Sequence, residues 1–164
     1  MVNELRFIPV KKRKAQHYEL LASLMLPYHR ELDGDPPGDE LVLKITRSMM
    51  DMLGPRDRRL ELVMLGDEPV GFFYGKIDHE NHRGFVKPGY GYVMELYVRP
   101  EYRRKGYASA MLQRLDRHFA RHGAAHAWLT TGSTGEAFWR AASFAPTGEI
   151  CPDNGMDVFE KELA

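Results

Sequence analysis

The chain has 164 residues, 43% of them hydrophobic, and its 23 Lys and Arg are matched by 23 Asp and Glu. A chain of this length buries about 70% of its extended surface as one domain, and no apolar run of ~18 residues is present to cross a membrane. Zero net charge supplies no global field for nucleic acid. The lone Cys151 excludes an intrachain disulfide framework and a Cys-x-x-Cys metal site, and it fits a reducing cytoplasm. The opening MVNELRF lacks the charged-then-apolar pattern of a secretory signal.

Residues 5–10 read as a short strand, ended by Pro9 and the basic run 11–14. Over residues 15–25, Leu20, Leu21, Leu24 and Met25 recur at helical spacing, with His17 on the same side as a helix-face residue at the core edge. Pro27 is expected to interrupt this helix. Residues 28–38 read as a loop punctuated by Gly and Pro and carrying Glu31, Asp33 and Asp35. A second helix follows, with Asp39 as its cap and Leu41, Val42, Ile45, Met49 and Met52 as its stripe. Gly54-Pro55 stops it, with the glycine suited to a left-handed cap. Residues 60–65 and 70–77 are apolar runs separated by Gly66-Asp67-Glu68-Pro69, a hairpin signature. The connection over residues 78–89 is long for a hairpin. His79 and His82 in it lie three apart without an evident third ligand, so no metal is expected.

Residues 92–98 are apolar, β-branched and aromatic, as a buried strand requires. Arg99-Pro100 ends that strand. Beyond Arg104, the residues Tyr107, Ala108, Met111, Leu112, Leu115 and Phe119 form one helical stripe. Between strand and stripe sits the basic turn Arg103-Arg104-Lys105-Gly106-Tyr107-Ala108. The first turn of a helix carries amides with no intrahelical acceptor, and the macrodipole adds partial positive charge. Gly106 and Ala108 let a bulky anion approach the backbone, and Arg103, Arg104 and Lys105 add cationic donors at the rim. The bland reading is a solvated strand–loop–helix connection; the full strand before it and the amphipathic helix after it favour the anion site. Gly123 then caps the helix, residues 125–130 give another strand, 135–142 a short helix holding Phe138 and Trp139, and 157–163 a last strand. Hairpins followed by helical crossovers predict an α/β (α+β) domain, a mixed sheet with helices on both faces.

The segment ELYVRPEYRRKGYA, with Arg103, Gly106 and Ala108 in the pattern Q/R-x-x-G-x-G/A after a strand, resembles the GNAT superfamily of N-acetyltransferases. The resemblance implies one GNAT domain over residues 1–164, with a mostly antiparallel sheet of about seven strands flanked by about four helices. It implies acetyl-CoA as cosubstrate, with its pyrophosphate on the amides of Arg104, Lys105, Gly106, Tyr107, Ala108 and Ser109 and its pantetheine arm alongside Leu96, Tyr97 and Val98. The activity implied is direct transfer of an acetyl group to a primary amine of a small molecule or protein, without a metal. Val98 would polarise the thioester carbonyl through its backbone N–H.

Glu95 matches a position where many members carry an acidic base. Its apolar flanks predict partial burial and a raised pKa, although a structural pairing with a basic residue reads equally well. One departure stands out. Where many members have F-Y-x-x-x-G-F, this chain has Phe138-Trp139-Arg140-Ala141-Ala142-Ser143-Phe144. Indole is not a usable acid, so Trp139 is expected to pack beside the CoA arm, leaving thiolate protonation to Ser133, Thr134 or water. In this family the acceptor is chosen by the equivalents of residues 28–38 and 78–91. Glu31, Asp33 and Asp35 read either as attraction for a cationic amine or as a solvated acidic loop. A catalytically silent CoA-binding or ligand-sensing module is the alternative function, and a homodimer stays open.

Overall fold

The computed structural model describes residues 4–32 and 35–164. Its elements run β1 (Leu5–Pro9), α1 (Ala15–Glu31), α2 (Asp39–Asp51), β2 (Arg58–Leu65), β3 (Glu68–Ile77), β4 (Gly91–Val98), one 3-10 turn (Pro100–Tyr102), α3 (Tyr107–Arg121), β5 (His126–Thr131), α4 (Glu136–Ala141), β6 (Ala145–Ile150) and β7 (Asp157–Glu162). The seven strands form one sheet in the order β1-β2-β3-β4-β5-β7-β6. The neighbours β4 and β5 run parallel, and α3 joins them, since parallel neighbours need a crossover connection.

Strand alternation sorts the apolar side chains between two cores. Leu60, Leu62, Phe72 and Tyr74 face α1 and α2, where they meet Leu21, Leu24, Met25, Val42, Met49 and Met50. Val63, Phe73 and Val93 face the other way, onto Met111, Leu112, Leu115 and Phe119 of α3. That helix lies unusually close to the sheet. A Cβ on Gly91 would sit 2.2 Å from Phe119 Cγ, and one on Gly75 would sit 2.8 Å from Leu115 Cδ1. Both glycines therefore serve close approach.

The first helix runs on through Pro27 to Glu31, contrary to the expected break. Proline forfeits the bond to the Ser23 carbonyl, but packing holds both sides of it. Leu24 and Met25 are fully buried before it, and the Tyr28 ring after it lies 5.7 Å from Phe72 and 5.0 Å from Tyr97. The loop thus shrinks to residues 32–38, of which Asp33 lies outside the described residues. In α2, Gly38 rather than Asp39 is the cap, and the Asp39 carboxylate pairs with Arg30 at 2.7 Å. Its buried side is Val42, Thr46, Met49 and Met50, whereas Leu41 and Met52 are exposed. The helix ends at Asp51 ahead of Gly54-Pro55, but Gly54 is not among the left-handed glycines. The strand β6 had no counterpart in the apolar pattern, because it is an exposed edge strand holding Pro146 and Gly148.

Candidate active site

The site begins where the sheet splits. The β4–β5 register covers only Gly91–Ala127 and Tyr92–Trp128, after which the strands part. A bulge accompanies the split: Tyr74 pairs with Glu95 and Gly75 with Val93, so Met94 has no partner on β3. Strict alternation from Val93 would aim Glu95 into the α3 core. The extra residue instead turns Met94 and Glu95 both toward α1. At the end of β4, Arg99 N–H donates to the Val70 carbonyl on β3 at 2.8 Å. Neighbouring amides along a strand point to opposite edges, so Val98 N–H points to the edge that β5 has left.

A cleft of about 750 Å³ fills the split. One wall is Leu96, Tyr97 and Val98 of β4; the opposite wall is Thr134, Gly135, Phe138 and Trp139 around α4. Its end is the start of α3, where Gly106 is the N-cap at φ 81°, in the left-handed region that favours glycine. No side chain caps this terminus. The first backbone bond of α3 runs from Ala110 N–H to the Gly106 carbonyl at 3.1 Å. The amides of Tyr107, Ala108 and Ser109 therefore precede the helical ladder, and all three residues line the cleft. A Cβ on Gly106 would meet nothing within 4 Å. The terminus is thus shaped for an anion: free donors, the positive end of a dipole, and open space before them.

Glu95 lies on the α1 side, closely surrounded by protein but still reached by water. Burial pushes its carboxyl up to about 7, against the opposing pull of a hydrogen bond donated by the Tyr28 hydroxyl. Burial also drives the Tyr28 phenol well above its ordinary range, with the Glu95 charge adding to it. Tyr28 is therefore the donor at every ordinary pH, and Glu95 is half ionised near neutrality. Nearby Tyr92 stacks on Trp128 at 4.1 Å, and its phenol is pushed up to about 12 by burial and then by Glu95.

The three cations of the turn have separate places. Arg103 is held: Nη2 meets Glu31 at 2.5 Å and Nε donates to the Val98 carbonyl at 2.8 Å. Glu31 also accepts from Tyr97 OH at 3.0 Å, so it is an internal clamp rather than a free attractor for an amine. Arg104 lines the cleft at φ 62°. Lys105 is not part of the lining; its Nζ lies 5.8 Å from the centre of the Tyr102 ring. Trp139 is half-buried, edge-on to Phe144 at 5.5 Å, and forms cleft wall. The Tyr28–Glu95 and Glu31–Arg103 contacts were not foreseen, because the expected break at Pro27 left Tyr28 and Glu31 in a loop. In the long connection, His79 pairs with Asp57 at 2.5 Å and His82 Nδ1 lies 2.9 Å from Lys76 Nζ. Among the described residues no group of three or more His, Cys, Asp and Glu could hold a metal ion, and no helix is long and apolar enough to cross a membrane.

A seven-stranded mixed sheet split between its parallel strands, with a helix N-terminus in the split, is the architecture of a GNAT-type acyltransferase domain. The sequence profile of the Acetyltransferase (GNAT) family matches residues 18–142, and the chain belongs to that family. Solved structures agree in fold at low identity. An acetyltransferase from Thermus thermophilus is 21% identical over 99% of this chain and 100% of its own, with a TM-score of 0.71. The PaiA N-acetyltransferase from Thermoplasma acidophilum, solved in complex with coenzyme A, is 14% identical over 97% and 99%, with a TM-score of 0.73. A GCN5-related N-acetyltransferase from Ralstonia eutropha is 22% identical over 90% and 96%, with a TM-score of 0.66. No curated protein matches the chain by sequence.

Proposed function

We propose that this protein is an acetyl-CoA-dependent N-acetyltransferase acting on a primary amine by direct transfer. The uncapped start of α3, opening onto the cleft at the β4–β5 split, carries this reading. The pyrophosphate of the cosubstrate lies on the amides of residues 104–109, Arg104 supplies a cation beside it, and the pantetheine runs between Leu96–Val98 and Trp139. Lys105, outside the lining, contributes charge only at long range. The coenzyme A bound to the Thermoplasma relative supports the cosubstrate. The lone, buried Cys151 accords with a cytoplasmic setting.

An alkylammonium of ordinary pKa ~10 must lose a proton before it attacks. Glu95, with its carboxyl near 7, takes that proton through water. The neutral amine adds to the thioester carbonyl carbon, forming the C–N bond, while Val98 N–H donates to the oxygen as it becomes an oxyanion; such a donor is worth about 10²–10³ in rate. Collapse of the tetrahedral species breaks the C–S bond, and the nitrogen releases its second proton to solvent. The leaving thiolate takes up a proton from water, tolerable for a thiol of pKa ~8.5. Trp139 donates none and serves as wall. The absence of a phenol at position 139 favours one rival, a CoA-binding sensor without turnover.

Calorimetry with CoA on the wild type and on Gly106→Trp separates the readings, followed by a free-thiol assay across a panel of amines. Binding that collapses in the variant, with thiol released from acetyl-CoA by at least one amine, is expected. Equal binding by both proteins would reject the phosphate site, and tight binding with no turnover on any amine would favour the sensor.

A further inference from the structure

A second concave surface lies at the far end of α3. Arg114, Arg117, His118, Arg121 and His122 recur at i, i+3, i+4, i+7 and i+8, which places them on one helical face. They converge on Arg56, Arg58 and Arg59 at the start of β2, and together the two groups wall a basin of about 690 Å³. Among the described residues its one acidic lining residue is Glu61. That carboxylate is fully buried and already engaged, by Arg114 Nε at 2.8 Å and Arg59 Nε at 2.7 Å. Arg58 donates to the Tyr74 hydroxyl at 2.8 Å. Among the described residues, Arg56, Arg58, Arg117 and Arg121 form no ion pair.

The frame of the basin is fixed. His118 is only 6% exposed, and its Nε2 donates to the Asp57 carbonyl at 2.9 Å, tying the end of α3 to the turn before β2. The cations, by contrast, are badly compensated. The negative end of the helix dipole reaches only the last turn, so it serves Arg121 but not Arg56, Arg58 or Arg117. Like charges three and four residues apart on a helix repel, as Arg114, Arg117 and Arg121 must. Buried Glu61 accounts for Arg59 and Arg114, and the Asp57 carboxylate beside His118 is paired with His79, so neither accounts for Arg56, Arg117 or Arg121. An anion arriving from outside would relieve the repulsion, and the guanidinium fork matches phosphate oxygens in pairs.

We propose that this basin binds a small anion bearing two or more adjacent phosphate groups. The described lining consists only of Arg, His and Glu. Its only aromatic rings are the imidazoles of His118 and His122, and it has no apolar wall for an acyl chain, so the guanidinium groups and the phosphates they match dominate what it recognises. A single-stranded nucleic acid would need stacking surfaces and a long basic track, and a chain with 23 acids to 23 Lys and Arg provides no field beyond the basin. The site is separate from the start of α3, since the 15-residue helix puts roughly 20 Å between its ends. It stands whether or not the acetyltransfer reading does.

The probe is inorganic triphosphate, titrated calorimetrically into the full chain and into Arg117→Ala/Arg121→Ala. Both side chains are exposed and repel one another, so the variant should fold with a thermal midpoint at or slightly above that of the wild type. The wild type should bind with an affinity that falls as salt rises; the double alanine variant should bind about tenfold more weakly or worse, and Arg117→Lys/Arg121→Lys should fall between them. Should the double variant not fold, Arg56→Ala, on a separate element, carries the same expectation. No binding by the wild type overturns the proposal, as does undiminished binding by the variants, which would place triphosphate elsewhere, the start of α3 included. Orthophosphate binding as tightly as triphosphate would mean an adventitious ion only. A short single-stranded oligonucleotide binding more tightly than triphosphate, and losing that binding in the variant, would replace the proposal with a nucleic-acid surface.

Discussion

Replacing Glu95 by Gln tests the base and its environment together. The wild-type carboxyl rises from an ordinary 4.5 to about 7 on folding, chiefly through burial. At about 1.4 kcal/mol per tenfold change in proton affinity, that rise amounts to about 3 kcal/mol, reduced by whatever screening water provides at the cleft mouth. The folded protein holds this proton more tightly than the unfolded chain. The cost of ionising Glu95 is therefore absent below about 4.5, grows as pH rises toward 7, and is complete above it. Glutamine keeps the shape and can still accept from Tyr28, but it never ionises. In urea melts the stability of the wild type relative to Glu95→Gln should fall by up to about 3 kcal/mol between about pH 4 and about pH 8. A gap that stays constant across that range would refute the burial argument. In the same variant the rate should drop about 10²–10⁴-fold, and the wild-type rise in kcat/KM with an inflection near 7 should disappear. Wild-type activity with an unchanged inflection would remove Glu95 from the mechanism.

Tyr28→Phe removes the hydrogen bond that pulls the Glu95 carboxyl down, so the inflection of the pH–rate profile should move upward while the ring packing against Phe72 and Tyr97 survives. A downward or absent shift would contradict the hydrogen bond's role. Gly91→Ala puts a Cβ 2.2 Å from Phe119 Cγ and should cost about 1–3 kcal/mol, read as a lowered thermal midpoint. Trp139→Ala should cost about 2 kcal/mol, below the ~3–5 of a fully buried aromatic, because the ring is half-buried. Trp139→Phe should keep both CoA affinity and turnover; if turnover alone vanishes, the indole N–H has a chemical role.

The parts of the fold legible in the sequence are those whose physics is local. The β2–β3 hairpin follows from two apolar runs around Gly66, which takes φ 62° in the turn. The start of α3 follows from a strand stopped at Pro100 and a stripe resuming at Tyr107. Where context outweighs local preference, the reading failed. Pro27 stays helical because buried neighbours on either side hold the helix together. In α2 the buried side includes Thr46, whose hydroxyl donates to the Val42 carbonyl at 2.8 Å and so enters the core without an unmet polar group. Periodicity that counts only apolar types passes over such a residue and rotates the stripe onto exposed Leu41 and Met52.

The same division runs through the site. The uncapped start of α3 could be read from Gly106 and its neighbours because a helix start is a property of a few consecutive residues. The chemical end could not, because it joins residues 67 apart in Tyr28–Glu95 and 72 apart in Glu31–Arg103. Even the face on which Glu95 lies depends on one unpaired residue, Met94, that no alternation pattern reveals. Without that bulge the carboxylate would face Leu115 and Phe119, on the side of the sheet opposite Tyr28. The split of β4 from β5 and the turn of Glu95 toward α1 thus lie side by side in β4, the first past Tyr92 and the second at Met94. On the proposed mechanism the split admits the acyl donor, and the bulge aims the carboxylate that takes the amine's proton.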